Sequence, residues 1–332
     1  MLQRTISALA VVMLLFAMPL FLDLAISIVG NLFRARKTRR GQLADIRLAA
    51  VVPAHNEEEM IARTVRSLLA AGCSRPASVA SGEDLPFVPQ VFVVAHNCTD
   101  ATAAEAEKAG ARVLELNNPM TRGKGAALRF GFHAASAAGA NAFLVVDADS
   151  VVSSNMLSAT RAALERGSEA TQCRYELELP AHGKVSALAR LRVLAFRGIN
   201  VMRARGRAGL GFSAGLFGNG FAVTAATLER VPFSADSICE DIEYHIKLVC
   251  DGIRVDWVEE AIVHAPLAAA GGAGGLTIDR GDVVAGGIQS AQGGNREIRA
   301  AHEREAHQPA PCFSRWAFAS LRQIMLRFSA EI

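Results

Sequence analysis

Aromatic residues are scarce in this chain. Two Trp, two Tyr and 16 Phe make up 6% of 332 residues, too few for the stacking platforms of single-strand nucleic-acid binders. No sign of charge dominates either: 35 Lys plus Arg face 32 Asp plus Glu, and the resulting +3 is too small for a protein that coats nucleic acid. No nucleic-acid partner is expected. The six cysteines (Cys73, Cys98, Cys173, Cys239, Cys250 and Cys312) form no C-x-x-C pair and have no histidine at finger spacing. That excludes a zinc knuckle and argues against a disulfide framework, leaving small thiols in a reducing compartment. Charged residues are only 20% against 51% hydrophobic, so most of the chain is not disordered, and its length allows one large core or two modest ones.

What the chain does have is a long apolar start. Ile6 to Leu22 is an unbroken run of apolar and small residues, resuming after Asp23 as far as Phe33. That is long enough to cross a bilayer core of about 30 Å. Arg4 alone precedes the run, whereas Arg34, Arg36, Lys37, Arg39 and Arg40 follow it. The charges lie on the wrong side for a cleaved signal peptide, and by the positive-inside rule they place everything after residue 40 in the cytoplasm. The expectation is a transmembrane anchor over 1–33 and a basic juxtamembrane linker over 34–47. Asp23 inside the span is costly there.

From Leu48 short β-rich runs alternate with helical stretches, which predicts an α/β domain with a mainly parallel sheet flanked by helices. Strands are expected over 48–52, 91–94, 112–116, 143–146, 172–177 and 254–258, and a further apolar run covers 221–223. Helices are expected over 57–71, capped by Asn56, and over 101–109, 124–138 and 241–250. A basic helical region, 186–207, carries six arginines and suits either an anionic lipid leaflet or solvent. Residues 267–311 lack a hydrophobic period and read as a flexible loop, and 312–332 as an amphipathic helix.

Three polar clusters follow successive strands: Pro53-Ala54-His55-Asn56-Glu57, His96-Asn97-Cys98-Thr99-Asp100 and Asp147-Ala148-Asp149. Carboxyl ends of parallel strands form the ligand crevice of open α/β sheets, so the clusters converge on one rim. Asp147 and Asp149 suit a hard divalent cation, Mg²⁺ or Mn²⁺. Lys124, at a Gly-rich helix entry, suits a diphosphate. Glu240 and Asp241 open a helix, where a carboxylate serves as an N-terminal cap or as a general base.

Taken in order, P-A-H-N-E at 53–57, V-V-A-H-N-C-T-D at 93–100, R-G-K-G at 122–125, D-A-D at 147–149, G-N-G-F at 218–221 and E-D at 240–241 resemble family 2 glycosyltransferases of the membrane-anchored bacterial type. The resemblance covers about residues 48–266 and implies a GT-A fold, Rossmann-like and mainly parallel, behind an N-terminal transmembrane helix. It implies a single-pass protein of the inner membrane with its catalytic domain in the cytoplasm.

The resemblance also implies roles for individual residues. Pro53, Ala54, Asn56 and Glu57, with His96 and Asp100, would hold the uridine of a UDP-sugar. His96 stands where relatives carry Asp, so a neutral ring nitrogen would accept the uracil N–H. Asp147 would face ribose and phosphate, and Asp149 would ligate the metal, with His264 as a further ligand. Lys124 would meet the diphosphate, and Gly218, Asn219 and Gly220 would line the sugar pocket. Asp241, with Glu240 beside it, would take the proton of the attacking hydroxyl in an inverting displacement. The acceptor would be a polysaccharide or lipid-linked glycan at the membrane. The rival readings are a membrane-tethered relative that binds nucleotide without turnover, and a sugar-nucleotide pyrophosphorylase.

Overall fold

Leu48–Ala54 reads LAAVVPA, apolar on both faces, as befits a strand buried in the middle of a parallel sheet. The computed structural model describes residues 13–14, 18, 21–33, 45–72, 90–120, 123–180, 185–233 and 240–267. In it this segment, β1, lies between β2 (Gln90–His96) and β4 (Ala142–Val145), parallel to both. β3 (Arg112–Leu116) pairs with β2 and forms the edge.

The chain steps outward from β1 through β2 to β3, then returns to place β4 on the other side of β1. The crevice at this reversal opens beyond the carboxyl ends of β1 and β4. Helices cover both faces. α2 (Ile61–Gly72) buries Ile61, Val65 and Leu68 on one side, together with Met156, Leu157 and Leu164 of α5 (Met156–Glu165). α4 (Lys124–Ala137) buries Leu128 and Phe132 on the other, against Val51 and Phe92. It approaches the sheet through Gly131, where a Cβ would stand 2.5 Å from Val51 Cγ1.

Beyond β4 the expected parallel arrangement breaks down. β7 (Phe221–Thr224) is antiparallel to β4, and β6 (Ala170–Glu178) is antiparallel to β7. β8 (Val255–Pro266) runs parallel to β6, and the two-residue β5 (Val151–Val152) closes the order 3-2-1-4-7-6-8-5. The sheet is therefore mixed rather than mainly parallel. The reason is local: Gly220 N–H donates to Val145 O at 2.9 Å, so the chain enters β7 at the end where β4 leaves and must run back along it. β6 and β8 slip out of register between Cys173 and Arg174, which pair with Val258 and Ile262.

The transmembrane expectation is corrected. Among the described residues no helix is long and apolar enough to cross a membrane. The described helical stretch 21–30, α1, carries Asp23 and Gly30. It packs instead on this chain's own α7 (Arg203–Gly209): Asp23 accepts from Arg203 Nε at 2.5 Å and Arg207 Nη1 at 2.8 Å. Gly30 meets Gly206 so closely that a Cβ would collide with its carbonyl. The single-pass inner-membrane location with a cytoplasmic domain is withdrawn on this finding.

The basic region is α6 (Ala187–Arg197), a π-helical turn over Gly198–Met202, and α7. Acids of the chain take several of its arginines: Arg197 donates to Glu176 at 2.9 Å and Arg205 to Glu259 at 2.8 Å. Cys98 and Cys173 are free thiols as expected, but Cys250 is disulfide-bonded. The fold divides into Met1–Leu267 and Ala268–Ile332. The loop and terminal helix expected after Leu267 lie outside the described residues.

Candidate active site

The first two clusters form one hydrogen-bonded unit. Asn56 and Asn97 both adopt positive φ, 54° and 51°, which turns the chain sharply after β1 and β2. Asn56 does not cap α2, which begins at Ile61; its Oδ1 accepts the Thr99 N–H at 2.8 Å. Asp100 takes the Thr102 N–H at 3.0 Å on one oxygen and the Glu58 N–H at 3.2 Å on the other. Burial pushes the Asp100 pKa up, but these bonds and the one from the Thr102 hydroxyl outweigh it and hold the carboxyl below its usual range. Asp100 thus braces one loop on the other. Thr102 Oγ1, which the sequence did not single out, also accepts the Glu57 N–H at 2.7 Å.

Pro53 and Ala54 are the last residues of β1, and His96 ends β2 with only 6% exposure. The His96 carbonyl accepts a hydrogen bond from His55 Nδ1 at 2.7 Å. Beside this cluster is a cavity of about 480 Å³, lined among others by Ala95, Cys98, Asp100, Glu115 and Asn117. It does not include Asp147, Asp149 or Asp241.

The acid pair lies in the turn that follows β4. Lys124, the first residue of α4, bridges Asp147 and the Gly218 carbonyl, the latter at 2.6 Å. Gly218 has φ +71°, and a Cβ there would lie 3.5 Å from Asp241 Oδ2 and 3.6 Å from Lys124 Nζ. One backbone point thus touches an ammonium and a carboxylate carried by two helices. Asp241 stands in the first turn of α9 (Glu240–Cys250), its Oδ1 accepting the Ile242 N–H at 2.8 Å.

Electrostatics tie the clusters together. Burial raises the Asp149 pKa, and the Asp147 charge adds to it. Burial also raises Glu57, followed by the charges of Asp149, Asp100 and Asp147. Glu240 is raised by burial as well, with Asp241 and Asp147 adding and Lys124 opposing. Carboxylates are crowded here beyond what Lys124 neutralises. A hard divalent cation relieves such crowding, and two carboxylates that leave most positions to phosphate oxygens and water suit Mg²⁺ or Mn²⁺.

His264 does not join them. It lies within β8, opposite Val151 and Glu176, and its Nδ1 is 3.1 Å from Glu178 Oε1. Among the described residues no group of three or more His, Cys, Asp or Glu is placed to hold a metal, which corrects the expectation of a third ligand.

Gln172, Ser150 and Tyr175 were missed. The Tyr175 pKa is pushed up to about 12 by burial and then by the Asp147 charge. The only signal for Gln172 was a polar side chain within the run Ala170 to Cys173.

A solved structure shares this arrangement of strands and helices. The mannosyltransferase from Pyrobaculum calidifontis, solved with GDP-Man and Mn²⁺, aligns with TM-score 0.55 and 17% identity over 79% of this chain and 69% of its own. This likeness shows the GT-A fold. A mycobacterial protein aligns with TM-score 0.41 and 22% identity over 68% of this chain and 66% of its own. Glucosyl-3-phosphoglycerate synthase from Mycobacterium tuberculosis, solved with Mn²⁺, UDP and glucosyl-3-phosphoglycerate, aligns with TM-score 0.43 and 20% identity over 70% and 74%. The chain spans about two thirds of the length of the first of these mycobacterial proteins. Comparison with curated proteins finds no match. The family model described as Glycosyltransferase like family 2 matches residues 46–270, more than half of the sequence, and the chain belongs to that family.

Proposed function

We propose that this chain transfers a sugar from a UDP-sugar to a hydroxyl of a glycan or lipid-linked acceptor, in one displacement with inversion at the anomeric carbon. The observation that carries the reading is the meeting at Gly218 of Lys124, ion-paired to Asp147, with the Asp241 carboxylate. An anion-binding ammonium, an acid pair and a carboxylate able to act as base then surround one point without a side chain.

Asp147 and Asp149 would hold Mn²⁺ or Mg²⁺, which when bound neutralises charge developing on the departing diphosphate. Lys124 donates to the same diphosphate from the start of α4, where the helix dipole also favours anions. Asp241 accepts the proton of the acceptor hydroxyl as that oxygen attacks, with Glu240 beside it. The loops 53–57 and 96–100 receive the nucleoside. The Pyrobaculum structure, which contains GDP-Man and Mn²⁺, supports a metal-bound sugar nucleotide at such a rim. The loop after β1 contains Glu57, Glu58 and Glu59 in place of the basic residues a pyrophosphorylase needs.

The test is release of nucleotide from UDP-sugars and GDP-sugars with Mn²⁺, compared between the parent and Asp241→Asn. Release by the parent, reduced at least 100-fold in the variant while UDP binding persists, is the expected result. No release by the parent, with UDP still bound, would instead favour a nucleotide-binding relative without turnover, and equal release from both proteins would remove Asp241 as the base.

A further inference from the structure

Gln172, on β6, is 0% exposed, and its amide is fully engaged. Its Oε1 accepts the Phe217 N–H at 3.1 Å, while Nε2 donates to the carbonyls of Asn219 at 2.8 Å, Cys173 at 2.9 Å and Gly220 at 3.3 Å. One side chain therefore grips both ends of the turn that contains Gly218. The chain of bonds continues. Asn219, 1% exposed, accepts the Asp147 N–H at 3.1 Å on Oδ1 and donates from Nδ2 to Ser150 Oγ at 2.9 Å. Ser150, also wholly buried, donates to Asp149 Oδ1 at 3.0 Å.

The direction of every bond is determined. A backbone N–H only donates, so it selects the oxygen of each amide, which turns each NH₂ the other way. Ser150 Oγ, receiving from Asn219, must pass its own proton to Asp149. The sequence runs Gln172 to the turn, Asn219 to Ser150 and Ser150 to Asp149, and it leaves one Asp149 oxygen outside the relay.

We infer that Gln172, Asn219 and Ser150 are positioning residues that lock the Asp149 carboxylate for a divalent cation and couple it to the Gly218 turn. This rests on the reading of Asp147 and Asp149 as the metal pair. Outer partners of metal-ligating carboxylates set ligand orientation, and their loss weakens metal binding about 10- to 100-fold. The alternation of buried amide, buried amide and buried hydroxyl has no packing advantage over apolar residues, since unsatisfied members would each be costly.

The experiment is Mn²⁺ binding by the full chain with saturating UDP or GDP, read from the electron paramagnetic resonance signal of free Mn²⁺ without turnover. Ser150→Ala and Gln172→Glu, which removes the amide donors while keeping the shape, should each bind Mn²⁺ at least 10-fold more weakly. Ser150→Thr, which keeps the hydroxyl, should bind like the parent. Parental affinity in both Ser150→Ala and Gln172→Glu, with Asp149→Asn impaired, would overturn the relay and leave the metal reading intact. Parental affinity in Asp149→Asn would overturn the metal reading itself, and the relay with it. If Ser150→Ala does not fold, Ser150→Cys decides, because its thiol fills the space but donates weakly.

Discussion

Lys124 and Asp147 form an ion pair that ties the first turn of α4 to the turn after β4, and the same ammonium reaches the Gly218 carbonyl at 2.6 Å. Lysine offers three donors, and the protein uses two of them here. In the proposed reading, a diphosphate arriving at this rim would meet an ammonium already held in place. Lys124→Met should lower kcat/KM for the sugar nucleotide about 10- to 100-fold, the equivalent of one charge-assisted hydrogen bond. Uridine without phosphate should bind both proteins alike. Equal weakening of uridine and UDP would show that Lys124 supports the loop and not the phosphates.

The two glycines of the turn should respond differently to alanine. Both have positive φ, +71° at Gly218 and +70° at Gly220, which costs a side chain about 1–2 kcal/mol. At Gly218 the added Cβ meets only ordinary contacts, whereas at Gly220 it would stand 2.7 Å from Val263 Cγ2 on β8. Gly220→Ala should therefore lose more stability in urea unfolding. Gly218→Ala should lose proportionately more activity, because its methyl group lies between Lys124 and Asp241.

These contrasts show what could be read from residue order. The apolar run of β1, the helix start at Lys124 and the acid pair after β4 were legible because each is a local pattern with a local cause. Asn56 misled because an Asx residue before a helix signals a cap, yet the hydrogen bond to Thr99 comes from 43 residues away. Gln172 was invisible for the same reason: its partners lie 45 to 48 residues on, in a turn it cannot be matched to without the antiparallel β6–β7 pairing. The apolar start of the chain satisfied the length rule for a membrane span, and only its packing on α7 explains Asp23.

That packing is itself open to measurement. Burial lowers the Arg207 pKa, Asp23 opposes this, and Arg203 adds to it, so removing Asp23 leaves two guanidinium groups facing each other. Asp23→Ala should cost about 1–3 kcal/mol, below the range for a fully buried pair because these side chains are partly exposed. The double variant Asp23→Ala with Arg207→Met should cost less than the sum of the single changes. Strict additivity in urea unfolding would rule out the coupling.

Arg207 leads to α9. Its Nε donates to the Ser213 carbonyl at 3.0 Å, and Ser213 Oγ lies 2.8 Å from His245 Nε2, one helical turn beyond Asp241. Ser213 Oγ also receives the Val255 N–H at 3.1 Å, which leaves its own proton and a second lone pair for the His245 ring nitrogen. Burial, then the charges of Arg207 and Arg203, pushes His245 down to about 4 from 6.5. Between those values the unfolded chain binds a proton that the folded chain does not, so stability rises with pH across this window. The contribution is complete above pH 6.5 and is lost as pH falls toward 4, amounting to about 3 kcal/mol at about 1.4 kcal/mol per pH unit. His245→Gln keeps an acceptor for Ser213 but does not titrate. Its urea unfolding free energy should fall less steeply than the parent's between pH 6.5 and 4, and parallel curves for the two proteins would show that His245 is already charged in the fold.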